Sequence, residues 1–223
     1  MDAETILRRR IDRLKGILKS CTLCPRKCLV DRTRGESGFC LLTDDVVVSH
    51  ALPHYGEEPP ISGTRGAGTI FLSSCNLKCI YCQNYQLSHD ISGVKDYAAH
   101  AIPSIKEMVR QVGGELLMGE GVAKRGMLIR HLIIPGFISN SLEVLGLIKK
   151  HISLSVPLSI MSQYTPMPSV KNHPHLRKRI TRDEYELVIN HALDMGFETI
   201  FTQDVDDRAL VPDFRKKAPF DWS

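Results

Sequence analysis

Cys75, Cys79 and Cys82 stand in the run Cys75-Asn-Leu-Lys-Cys-Ile-Tyr-Cys82, a C-x3-C-x2-C spacing. Three thiolates this close together suit an iron–sulfur cluster; the alternative is three buried or zinc-binding cysteines. A [4Fe–4S] cluster has four irons, and three cysteines leave one iron without a protein ligand. A small molecule can bind that iron, which turns an electron carrier into a catalyst. A closed cluster or a structural zinc site takes four ligands, and zinc favours paired C-x2-C knuckles. No cysteine follows Cys82, and the nearest one before Cys75 is Cys40. The glycine-rich run Gly63-Thr-Arg-Gly-Ala-Gly68 lacks the Lys-Ser/Thr ending of a phosphate loop and precedes a strand, so it reads as a turn.

The other four cysteines, Cys21, Cys24, Cys28 and Cys40, are spaced C-x2-C-x3-C-x11-C. Four thiolates close a tetrahedral site, so this set reads as a structural centre, either zinc or an auxiliary iron–sulfur cluster. The alternative is that they pack in a small core. Pro25, Gly35 and Gly38 suit tight loops around a metal, and a stretch so poor in apolar residues needs a staple.

Composition sets the frame around these cysteines. The 223 residues allow one sizeable domain and a small appendage. A hydrophobic content of 43%, a charged content of 24% and a net charge of +4 belong to an ordinary globular chain. That charge suits an anionic small molecule. Without an aromatic-interleaved basic stripe, the chain is read as having no nucleic-acid partner. Arg8-Arg9-Arg10 falls in a helical segment with Ile6, Leu7, Ile11, Leu14, Ile17 and Leu18 on one face, and reads as a solvated basic face. The sequence shows no signal peptide and no run of eighteen apolar residues, so the expectation is a cytoplasmic protein with no membrane partner. Seven cysteines in that reducing compartment point to metal binding rather than disulfides.

The elements that must position these residues follow from periodicity and punctuation. Residues 2–20 read as an amphipathic helix, and 21–40 as the cysteine-rich knuckle. Val46–His50 and Gly68–Ser74 read as strands, the second ending just before Cys75, where open sheets and β/α barrels bind ligands. Helices are expected over Ile102–Val112, over Asn140–Lys150 from an Asn140-x-x-Glu143 capping box, and from Thr181-x-x-Glu184 to Gly196. Strands are expected over Ile129–Ile134, Leu158–Tyr164 and Phe197–Thr202. Alternating strands and helices indicate a parallel α/β architecture. The domain division expected is 1–60 for the helix and cysteine-rich subdomain and 61–223 for the remainder.

The ordered set Cys21-Thr-Leu-Cys-Pro-Arg-Lys-Cys28, Gly56-Glu-Glu-Pro-Pro60, Gly68-Thr-Ile-Phe71, Cys75-Asn-Leu-Lys-Cys-Ile-Tyr-Cys-Gln-Asn84, Arg130-His-Leu-Ile-Ile-Pro-Gly136 and Met161-Ser-Gln-Tyr164 resembles a poorly characterised branch of the radical S-adenosylmethionine (radical SAM) superfamily, related to the pyruvate formate-lyase activating enzymes. The resemblance implies a partial (β/α) barrel. Here that barrel is shortened between about Ser88 and Asp96, since a β/α repeat needs roughly 30 residues or more and too few follow Cys82. It further implies that Cys75, Cys79 and Cys82 hold a [4Fe–4S] cluster and that S-adenosylmethionine chelates the open iron. Reductive cleavage then gives a 5′-deoxyadenosyl radical that abstracts hydrogen. An electron donor such as flavodoxin or ferredoxin and a protein substrate are the partners it suggests. Among cofactor-binding residues, Tyr81 takes the hydrophobic place beside the adenine or is a core aromatic. Asn84 bonds near the cluster or caps the loop. Arg130 pairs with the cofactor carboxylate or lies at the surface. Gln163 and Tyr164 stand where a strand end meets a ligand. His173 and His175 read as solvated. Two other readings remain: a [4Fe–4S]-binding paralogue that has lost the S-adenosylmethionine pocket, and a zinc-dependent interaction module.

Overall fold

A computed structural model describes residues 2–86, 97–205 and 211–220. The chain divides into two compact units, one formed by Met1–Ala51 with Ile70–Lys95, the other by Leu52–Thr69 with Asp96–Ser223. Both cysteine clusters therefore belong to the first unit, whereas the cut expected near residue 60 would separate them.

The first unit opens with α1, Ala3–Ile17, capped by the Asp2 carboxylate, which accepts from Thr5 N at 2.8 Å. A 3-10 turn, Leu18–Ser20, leads into the knuckle, which contains a second 3-10 turn, Arg32–Arg34. Strand β1 spans Val48–His54 and pairs with β2, Ala67–Leu72, in a two-stranded sheet; the division between units crosses both strands. Only Cys21, Arg32 and Lys78 are buried among this unit's described residues. Among those residues there is no apolar core to close it.

The second unit has such a core. After the short α2, Pro59–Ser62, come α3, Tyr97–Val112, and a hairpin of β3, Leu117–Gly119, with β4, Val122–Arg125. Then β5, Ile129–Leu132, α4, Ile138–His151, β6, Leu158–Met161, α5, Arg182–Asp194, and β7, Ile200–Phe201, build a three-stranded parallel sheet in the order β5-β6-β7. Ile129 pairs with Leu158, which in turn pairs with Ile200. Ile133, Leu145, Ile148, Leu158, Ile160, Tyr185, Val188, Ala192 and Phe197 close the core between this sheet and α4 and α5. Each large apolar side chain buried here stabilises the fold by roughly 1.5–3 kcal/mol. Tyr185 fastens α5 to the sheet: its hydroxyl donates to Ile160 O and accepts from Gln203 N, both at 2.7 Å.

The expected mixed α/β class is present, with three departures. The strand before the C-x3-C-x2-C run lies in a two-stranded sheet with β1 rather than beside β5. The Thr181–Glu184 capping box forms, but the one expected at Asn140 does not. Pro135-Gly136 turns the chain early, Phe137 N bonds Ile134 O, and α4 starts at Ile138 without a side-chain cap. The β3–β4 hairpin, turned by Glu120 and Gly121 at positive φ, is additional. The expected shortening near 88–96 falls outside the described residues. No helix among those described is long and apolar enough to cross a membrane.

Candidate metal-binding site

The C-x3-C-x2-C loop leaves β2 at once. Ser73 N is still tied to Val47 O at 2.8 Å, and then Ser74 and Lys78 adopt left-handed backbone, with φ of 73° and 50°. These two turns fold Cys75–Cys82 into a compact loop in which Cys82 N bonds Cys79 O at 3.0 Å. Leu77 N donates to Cys75 Sγ at 3.3 Å. Burial pushes the Cys79 thiol up, and the charges of Cys82 and Cys75 push it the same way. The three sulfurs thus feel one another. Tyr81 hydrogen-bonds the Cys79 thiol, which lowers it in part. Asn84 is exposed.

Two cations clamp the loop onto the knuckle through one ring. The Arg26 guanidinium lies 3.5 Å from the Phe39 centroid and donates to Asn76 O at 2.6 Å. The buried Lys78 ammonium lies 4.5 Å from the same centroid. Ser74 Oγ donates to Cys40 O. A cavity of about 510 Å³ is lined by Cys21, Cys24, Cys40 and Arg32 of the knuckle and by Cys75 of the loop.

Arg32 is the residue that sequence reasoning missed. It is only 4% exposed, and its guanidinium donates to Cys21 Sγ at 2.9 Å, Cys40 Sγ at 3.2 Å, Cys28 Sγ at 3.6 Å and Leu42 O. Burial pushes the Cys21 thiol up, but the hydrogen bond and charge of Arg32 outweigh it and hold that thiol below its usual range. A buried guanidinium needs negative charge around it. Three sulfur atoms are what it meets, so the knuckle is built for anionic sulfur. Gly38 is required here because a Cβ would lie 2.4 Å from Cys28 Sγ. The available signal was the first of two arginines, Arg32 and Arg34, between Cys28 and Cys40, with an Asp31 turn before it.

All seven cysteines are free thiols. Among the described residues, no three His, Cys, Asp or Glu side chains converge as ligands on one point. The sulfurs of each set share a neighbourhood rather than a ligand shell. The donor chemistry nonetheless suits the groups expected: three thiols on one loop, Cys79 pushed up by burial, with an N–H already aimed at Cys75 Sγ.

The second unit places the remaining candidates differently. Arg130 is committed to the two carboxylates of the Gly56–Pro60 segment, with Nη1 2.6 Å from Glu57 Oε2 and Nε 3.0 Å from Glu58 Oε1. Glu57 also lies 3.0 Å from His54 Nδ1. Tyr164, expected at a ligand-facing strand end, is fully buried. The strand β6 stops at Met161, and the Tyr164 hydroxyl donates to Leu176 O at 2.7 Å, bracing the loop that follows. Gln163 lies in the same loop, half-buried. His173 Nδ1 accepts from Leu176 N at 3.1 Å and so holds loop geometry.

No protein-family profile matches the chain, and no solved structure matches it. An uncharacterised protein of Methanocaldococcus jannaschii is 24% identical over 276 residues, covering 86% of this chain and 80% of the relative. That alignment is longer than the whole 223-residue chain, so the relative carries residues with none opposite them here.

Proposed function

We propose that the chain is a radical SAM iron–sulfur protein of oxidoreductase type, related to the pyruvate formate-lyase activating enzymes and built on a shortened partial (β/α) barrel. The observation that carries this reading is the Cys75–Cys82 loop: three thiols on one clamped turn, with the Cys79 thiol pushed up by burial and by the two sulfurs beside it. Cys75, Cys79 and Cys82 would hold the [4Fe–4S] cluster. Once bound, that cluster would supply the electron that cleaves S-adenosylmethionine into methionine and a 5′-deoxyadenosyl radical.

The chain's own contribution is positional. Leu77 N–H stabilises negative charge on Cys75 Sγ. Arg26 and Lys78 fix the loop on Phe39 and add positive charge near the thiolates. Arg32 does the same for Cys21, Cys28 and Cys40, the set proposed to hold zinc or an auxiliary cluster. The seven free thiols suit the reducing cytoplasm, where a small acidic electron-donor protein and a protein substrate complete the scheme.

The test is electron paramagnetic resonance of the anaerobically reconstituted, reduced protein, with and without S-adenosylmethionine. A cluster signal that changes on adding the cofactor supports the catalytic reading. A cluster signal indifferent to it supports a second reading, a [4Fe–4S]-binding paralogue without the cofactor pocket. Zinc with no acid-labile sulfide would overturn both.

A further inference from the structure

Helix α1 is amphipathic, yet none of its residues is buried. Leu7, Ile11, Leu14 and Leu18 follow at spacings of four, three and four, which aligns them in one stripe. Leu7 is 58% exposed, Leu14 57% and Ile11 41%. Leu18, in the 3-10 turn beyond the helix, is half-buried, but Leu7, Ile11 and Leu14 stand exposed with no partner surface among the described residues.

The charges around it select the partner. Five basic residues, Arg8, Arg9, Arg10, Arg13 and Lys15, share the helix with two acidic ones, Glu4 and Asp12. Arg10 flanks the stripe on one side; Arg8 and Lys15 flank it on the other. Only Arg8 has an ion pair among those seen on the helix, with Glu4 at 2.8 Å. A second copy of the chain is a poor occupant. Packed along the stripe in parallel, Arg10 of each helix would face Lys15 of the other, and like charges across such a seam repel. A planar anionic surface suits both flanks at once. The apolar stripe enters the acyl boundary while the flanking cations extend their methylene stems and reach the phosphates.

We propose that α1 is a membrane-surface helix that docks the protein on anionic lipid, contrary to the absence of a membrane partner expected from composition. This inference is independent of the radical SAM reading.

The test is co-sedimentation of the full chain with vesicles of phosphatidylcholine alone and with about 30% phosphatidylserine added. Binding is expected to the anionic vesicles only and to fade in about 1 M salt, where screening is short-ranged. Arg10→Gln with Lys15→Gln should weaken it roughly twenty-five-fold, given what each cation contributes at such a surface. Arg10→Lys should keep it. Leu7→Ala with Leu14→Ala preserves helix propensity while removing the stripe, and should lower binding at least about tenfold. Far-UV circular dichroism checks that each variant is folded. Equal binding to both vesicle types, no binding to either, or undiminished binding by the folded leucine variant would each overturn the proposal. So would a dimer in solution that the leucine variant dissociates, which would make a second copy the occupant.

Discussion

At the scale of single residues, the thiols divide into two groups with different neighbours. Cys79 sits among sulfurs, and Cys21 sits against a guanidinium. On the proposed reading, Cys79→Ala should remove iron from the loop while leaving the metal content of the knuckle unchanged; equal loss from both sets would refute the division. Arg32→Met takes away the donor shared by three sulfurs and Leu42 O. Leaving buried hydrogen-bond acceptors unsatisfied costs about 1–3 kcal/mol, and chemical denaturation should show a fall of that order. His131 gives a pH prediction. Burial holds its imidazole below the ordinary 6.5, and its Nε2 lies 2.9 Å from Ser141 Oγ. In the window below 6.5 the unfolded chain takes up a proton that the folded one refuses, so stability rises with pH there. Unfolding midpoints should drop as pH falls from 7 to about 5, and His131→Gln should flatten that slope.

At the scale of elements, the termini that obey simple capping chemistry are the ones that carry measurable energy. Thr181 and Glu184 close a reciprocal box at the start of α5, so Thr181→Ala should cost about 1 kcal/mol in urea denaturation. An unchanged midpoint would mean that tertiary packing alone holds that helix end. The same elements explain what could be read in advance. Thr181-x-x-Glu184, the apolar run at Ile129 and Gly196 with its positive φ all express local preferences, and the structure follows them. Asn140 had equally good spacing, but the turn at Pro135-Gly136 had already committed the backbone to helix at Ile138. Pairing partners were less legible. The β-branched run of β2 suits a buried parallel strand as well as the two-stranded sheet it forms, because side-chain type does not name the neighbour. For the site, the cysteine spacing was legible and Arg32 was not: contacts between Arg32 and Cys40 depend on a loop closure that no periodic pattern records.

At the scale of the whole molecule, the two units are held together by different physics. One buries leucine, isoleucine and valine between helices and a sheet. The other buries Cys21, Arg32 and Lys78. A metal chelator should therefore expose residues 2–51 to limited proteolysis while peptides from 129–205 survive; identical digestion with and without chelator would show that the first unit needs no staple. Phe39 gives this contrast a direction in time. Its ring precedes Cys40 and receives both Arg26 and Lys78, so one side chain of the knuckle holds the later loop. On the proposed reading, that contact gives metal loading an order: the four-cysteine knuckle would serve as the bench on which the three-cysteine loop is loaded, and a chain with Phe39→Ala should take up its first metal normally and its second slowly.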